Sequence, residues 1–187
     1  MSLDHILLAV LREPASGYDL KKVFSESIRH FWFAELSQLY PSLQRLERKG
    51  MLKSKTEPSE KGPPRRVYRR TAKGCKELCA WLRGGPQIGT ERFAYVAQMA
   101  FMHELSDLEE TLDFLQMLRE RFAATHAILV QFDAEESDQF PHAVDEQSFH
   151  EILSLRMGIG SIVAKLKWCD EAIELVTQRI QGKPKDA

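Results

Sequence analysis

Between Ser37 and Gly74 the chain writes, in order, a helix, a glycine stop, a strand, an arginine-rich Pro/Gly tip, a second strand and a helix cap. In the run S-Q-L-Y-P-S-L-Q-R-L-E (residues 37–47), Leu39, Leu43 and Leu46 recur at three- and four-residue steps, which predicts a helix with one buried stripe. Its start is expected between Ser37 and Pro41, because proline is tolerated in the first turn, where backbone donors have no intrahelical partner. Gly50 then suits the left-handed residue just past the helix end. Met51–Lys55 and Arg65–Arg70 read as antiparallel strands, with Pro58 to Pro64 as the loop between them. Thr71 caps a further helix carrying Leu78, Trp81 and Leu82. This order predicts a winged helix-turn-helix.

Upstream, Leu3, Ile6, Leu7, Val10 and Leu11 lie at helical spacing until Pro14 ends the run. Ser16 or Gly17 starts a second helix through Tyr18, Leu20, Val23, Phe24 and Ile28. Phe31, Trp32 and Phe33 form an aromatic knot, read as a plug between helices rather than a platform for stacking bases.

Residues 84–90 hold a Gly- and Pro-rich linker, which predicts two domains: 1–83, a winged helix, and 91–187, all helical. In the second, Glu91 to His103, Leu108 to about Phe132, and about Phe149 to Ile180 are the expected helices, and Glu135 to Glu146 a loop. The fold class is therefore mainly α, an N-terminal winged helix-turn-helix domain followed by a C-terminal all-helical dimerisation domain. Gly158 and Gly160 permit either close helix approach or a kink.

Charge divides along the same boundary. Residues 1–85 carry 17 Lys+Arg against 9 Asp+Glu, whereas residues 86–187 carry 9 against 18. A basic module joined to an acidic one suits a polyanion partner at the first end only. In the predicted third helix, Gln44, Arg45 and Arg48 can match base edges in the major groove, and Lys49 extends the basic surface. Ser37, Gln38, Tyr40 and Ser42 stand near its N-terminus, where hydroxyls and free N–H groups suit phosphate. Ser37 reads equally as a cap, and Tyr40 as a partly buried ring. In the wing, alternation sends Arg65 and Arg69 to one side and Arg66, Tyr68 and Arg70 to the other, so Lys61 and Arg65 at the tip lead as phosphate contacts, with Arg66 next.

The residues of this half resemble the PadR family of bacterial transcriptional regulators. The resemblance rests on the apolar first helix, G-Y-D-L-K-K (17–22), Phe31-Trp32, the Tyr40-Pro41 helix ending in Glu47, Gly50, and G-P-P-R-R-V-Y-R (62–69) with Thr71 and Gly74. The second half is similar to the longer subfamily with a virulence-activator-like C-terminal region, through Arg156, Gly158, Ile159 and W-C-D-E-A (168–172). That resemblance implies a homodimer through the C-terminal helices, double-stranded operator DNA as partner, and often repression. Activation with the same architecture, or a winged fold that binds another protein, are the alternatives.

Related regulators respond to small, often aromatic, compounds. Tyr95, Met99, Met102 and Trp168 are the candidates for lining an effector pocket, and the same residues at helical spacing also read as core. No phosphate loop, nucleophile–base arrangement or metal motif stands in the chain, so neither an enzyme nor a cofactor or metal is expected. Cys75 and Cys79, one helical turn apart, suit packing better than a redox or metal site. No apolar run is long enough to span a bilayer and no secretory signal pattern is present, so no membrane partner is expected and the location is expected to be cytoplasmic.

Overall fold

The computed structural model of the protein describes residues 2–26, 28, 31–32, 34–59, 62–89, 91–136, 140–142 and 144–182. The chain divides into two compact units, Met1–Gly89 and Thr90–Ala187.

In the first unit the order is α1 (Ser2–Val10), β1 (Ala15–Ser16), α2 (Gly17–Glu26), α3 (Leu36–Arg48), β2 (Leu52–Ser59), β3 (Gly62–Arg70) and α4 (Ala72–Arg83). One core joins them: Leu7, Leu8 and Leu11 from the α1 segment, Leu20 and Phe24 from α2, Leu39, Leu43 and Leu46 from α3, with Leu52, Tyr68 and Leu78. Each buried leucine contributes up to about 1.5–3 kcal/mol by leaving water. The aromatic knot is only partly a plug. Trp32 packs on this core, Phe31 is 51% exposed, and Phe33 lies outside the described residues.

Local chemistry sets the helix ends. Ser16 and Asp19 cap α2 reciprocally: the Ser16 amide and hydroxyl donate to Asp19 Oδ2 at 2.9 and 2.7 Å, and the Asp19 amide donates to Ser16 Oγ at 3.3 Å. Helix α3 starts earlier than its proline suggests. Its N-cap is Glu35, whose amide donates to Gln38 Oε1 at 3.3 Å, so Ser37 is not the cap and Pro41 falls inside the helix, forfeiting one backbone bond. At the other end Gly50 has φ +68°, its N–H donates to the Glu47 carbonyl (2.8 Å), and Met51 N–H donates to the Leu46 carbonyl (2.9 Å). This is the left-handed glycine stop that the sequence predicts, with both C-terminal bonds made.

The sheet has the order β1-β3-β2, antiparallel throughout. Strands β2 and β3 reach further toward the tip than expected, pairing from Leu52↔Arg70 to Ser59↔Gly62 with an irregularity at Pro58. Strand β1, absent from the sequence reading, adds only Ala15↔Tyr68 and Ser16↔Val67. Thr71 locks the wing to α4 as predicted: its Oγ1 accepts from Gly74 N–H (3.2 Å) and donates to the Gly50 carbonyl (2.8 Å).

The second unit holds α5 (Ala94–Phe101), a 3-10 turn (Met102–Leu105), α6 (Leu108–Glu136) and α7 (Glu146–Gln181). Asp145 caps α7, accepting from the amides of Gln147 (2.8 Å) and Ser148 (3.1 Å), so the helix starts at Glu146, three residues before the expected start at about Phe149. Helix α7 runs unbroken through Gly158 and Gly160. Salt bridges Arg119–Asp170 (2.5 Å) and Arg156–Asp133 (2.9 Å) advance by equal steps on α6 and retreat on α7, so the helices form an antiparallel hairpin. Leu115, Leu129, Ile152 and Cys169 are its buried apolar residues. No helix among the described residues is long and apolar enough to cross a membrane.

Candidate nucleic-acid interface

Burying Leu39, Leu43 and Leu46 turns the opposite side of α3 to solvent. Ser37, Tyr40, Gln44 and Arg48 follow one another at three- and four-residue steps, and all four are exposed. They form one continuous stripe of hydroxyl, phenol, amide and guanidinium groups. The side chains of Gln44 and Arg48 make no hydrogen bond or ion pair within the described residues. Lys49 is exposed just beyond. Gln38 is exposed too, with its side-chain oxygen held by the Glu35 amide.

Tyr40 keeps its place by resting on Gly17. A Cβ at Gly17 would stand 2.5 Å from the Tyr40 hydroxyl and 2.8 Å from Cζ, so a larger residue there would push the exposed ring aside. Tyr18, next along, is 76% exposed. The sequence places Tyr18 among the apolar residues of its helix, whereas the fold leaves it exposed, next in the chain to the Gly17 that Tyr40 touches.

Two residues of the expected set face elsewhere. Ser42 is 4% exposed, and its hydroxyl accepts from Arg45 Nη2 at 2.9 Å. Arg45 turns toward α1, where Nε donates to Asp4 Oδ2 at 3.0 Å and Nη2 pairs with Oδ1. Both were expected on the outer polar surface. The sequence could not show that Asp4 comes within reach, so a half-buried cation found its counter-ion across the core.

The wing sorts its arginines by strand parity. Arg65 is exposed at the solvent side, close enough to Asp19 and Glu57 to help hold both carboxyls below their ordinary range, after the main effects of Ser16 on Asp19 and of Lys55 on Glu57. Arg66 shares the face of Tyr68, and its Nη2 donates to Glu47 Oε2 on α3 at 2.6 Å. Lys61 lies outside the described residues.

In the second unit, Tyr95 and Trp168 do come together, with ring centroids 6.5 Å apart, and Phe122 (5.4 Å) and Phe93 (5.5 Å) complete the cluster. Lys165 Nζ stands 5.1 Å from the Phe93 ring. Met99 and Met102 are half-buried. A separate open groove between α6 and α7 is lined by His126, Val163, Leu166, Lys167, Asp170, Glu171 and Glu174.

Comparison with known proteins decides the family. Residues 6–80 match the family model of PadR-like transcriptional regulators, and residues 95–177 match that of the virulence activator alpha C-terminal region. The chain carries a PadR-like domain followed by a virulence-activator-type C-terminal region. This PadR-like regulator is 27% identical to a probable transcriptional regulator of Mycobacterium tuberculosis, over 96% of this chain and all of that one. It is 25% identical to the negative transcriptional regulator PadR of Bacillus subtilis, over 93% of this chain and 97% of that one. The crystal structure of that PadR with operator DNA superposes with a TM-score of 0.77 at 23% identity, covering 93% of this chain and 97% of that one. The virulence activator AphA of Vibrio cholerae superposes with a TM-score of 0.72 at 28% identity, covering 95% and 99%. The PadR-like regulator thus shares with them a winged helix followed by a helical C-terminal domain.

Proposed function

We propose that this PadR-like regulator binds a specific operator in double-stranded DNA as a homodimer and represses transcription until a small aromatic effector releases it. The observation that carries the reading is the exposed Ser37–Tyr40–Gln44–Arg48 stripe of α3, in the same unit as the exposed Arg65 of the wing. A helix of that chemistry fits the major groove while the wing neutralises phosphate. Bacillus subtilis PadR, solved with operator DNA in this fold, supports it. Ser37, Gln38, Tyr40, Gln44, Arg48, Lys49, Lys61 and Arg65 are the proposed contacts, with Tyr18 added. Ser42 and Arg45 support the helix from behind.

Dimerisation follows from apolar surface that a two-helix hairpin leaves uncovered. Leu153, Met157 and Leu175 lie along one line of α7 and are 47%, 73% and 66% exposed; Met117 and Ile128 of α6 are 55% and 56% exposed. Stripes of that kind are closed by a symmetric copy. Leu175→Glu is expected to yield a monomer by light scattering at micromolar concentration, and a dimer would count against this interface.

The effector reading draws on Bacillus subtilis PadR, solved in complex with p-coumaric acid. Here the rings of Tyr95 and Trp168 offer stacking and Lys165 a counter-charge for an aromatic acid, with Met99 and Met102 the further residues in question. A second reading, activation with the same architecture, is favoured by the likeness to the AphA virulence activator. Selection of duplexes from random sequence, followed by a reporter carrying the selected site at varied positions and titrated with hydroxycinnamic acids, tests all of these. Failure to enrich any sequence would overturn the DNA-binding reading.

A further inference from the structure

Three side chains from three elements close a ring where the wing leaves the body of its domain. Ser54 Oγ of β2 donates to Glu47 Oε1 of α3 at 2.6 Å, Arg66 Nε of β3 donates to Ser54 Oγ at 2.8 Å, and Arg66 Nη2 donates to Glu47 Oε2 at 2.6 Å. The strand register explains the meeting. Ser54 pairs with Tyr68 and Thr56 with Arg66, so Ser54 and Arg66 are diagonal neighbours on one face of the hairpin. Glu47 stands in the last turn of α3, one residue before Arg48 of the exposed stripe. The Arg66 guanidinium also lies 5.4 Å from the centroid of the buried Tyr68 ring. Planar, forked and stacked, it is held in a way that a lysine could not reproduce.

We infer that Glu47 and Arg66 form a strut that sets the angle between the α3 stripe and the wing, so that Arg66 is a positioning residue for DNA binding and not a phosphate contact. The inference rests on the DNA-binding reading above. Beyond the two residues of β1 that pair with Val67 and Tyr68, the wing is a bare two-stranded hairpin, and its reach toward phosphate depends on how it leaves the domain. The ring joins it directly to the helix whose outer face carries the candidate base contacts. With Nε and Nη2 engaged, the forked edge of the guanidinium is committed to the strut, and a phosphate would meet only its remaining Nη1 and Nη2 hydrogens.

The test turns on sign. Glu47 is a negative charge beside a surface meant for a polyanion, so its removal by itself strengthens attraction to DNA. The strut requires the opposite: Glu47→Gln and Glu47→Ala should bind a wild-type-selected duplex about fivefold or more weakly. Arg66→Lys should be as weak as Arg66→Ala, because it keeps the charge and loses the fork, whereas a phosphate contact would leave Arg66→Lys near wild type. Thermal unfolding and near-UV circular dichroism establish that each variant is folded, and Arg66→Lys carries the test if Glu47→Ala is not. Unchanged or tighter binding by Glu47→Gln, or near-normal binding by Arg66→Lys, overturns the strut alone. A wild-type protein that selects no duplex overturns the DNA-binding reading and this role with it.

Discussion

Arg45 of α3 donates through two guanidinium nitrogens to Asp4 of α1, a residue 41 positions away, with Nε to Oδ2 at 3.0 Å and Nη2 to Oδ1. The arginine in the middle of the helix is therefore a tie between two helices. With side chains 29% and 13% exposed, the pair is shielded enough to matter. A double-mutant cycle of Asp4→Ala and Arg45→Ala in urea unfolding should give a coupling of about 1–2 kcal/mol. Coupling near zero, together with an altered base preference in Arg45→Ala, would return Arg45 to the DNA surface.

Arg48 and Arg65 are expected to differ in what they read. Arg65→Ala should weaken binding to every duplex alike and lower the salt slope by about 1, as loss of one phosphate contact does. Arg48→Ala should cost about 1–3 kcal/mol on the selected duplex and relax preference at one base position. Titrations of selected and scrambled duplexes at several salt concentrations separate the two. Equal sequence dependence for both variants would contradict the assignment.

Gly74 leaves room for the turn that follows α3. A Cβ there would collide with the carbonyl oxygen of Met51 and stand 3.0 Å from a Leu8 methyl. Backbone cannot yield as a flexible side chain can, so Gly74→Ala should destabilise the first domain by about 1–3 kcal/mol despite the better helix propensity of alanine. Thermal unfolding reads this directly; an unchanged or higher midpoint would show that the α4–turn contact is looser than described.

Acid should dissolve the Glu47 strut. The Ser54 hydroxyl, and then the Arg66 guanidinium, hold the Glu47 carboxyl below the ordinary value of 4.5, with burial opposing them. A folded-state value below the unfolded one contributes stability that is complete above the unfolded value and lost as pH falls through the folded one. The stability difference between wild type and Glu47→Gln should thus be flat from neutral pH down to about 5 and shrink below about 4.5. A difference that grows on acidification would reverse the sign and refute the pairing.

Much of this was legible in the sequence where the cause is local. Gly50 ends its helix because only a residue without Cβ takes that backbone without strain, and Thr71 caps because its hydroxyl reaches the amide three residues on. The leucine period of α3 left one side for solvent, which is why Tyr40, Gln44 and Arg48 stand where their spacing put them. The start of α3 was misplaced because Pro41 outweighed Glu35 in the reading, although the Glu35–Gln38 pair makes the cap. Strand β1 escaped notice because two residues carry no period; they pair only because β3 presents an open edge.

The residue order alone determined every element of the first unit but β1, the glycine stop, the wing and the division into a basic and an acidic half, since each rests on patterns carried within a short stretch of chain. Tertiary structure alone decided which cations face outward. Arg45, Arg48 and Arg66 are chemically alike in the sequence, yet Asp4 claims the partly buried Arg45 and Glu47 the exposed Arg66, because the packing brings a carboxylate within reach of each. Which carboxylate arrives is settled by how α1, α3 and the wing pack, and that information is spread over the whole core.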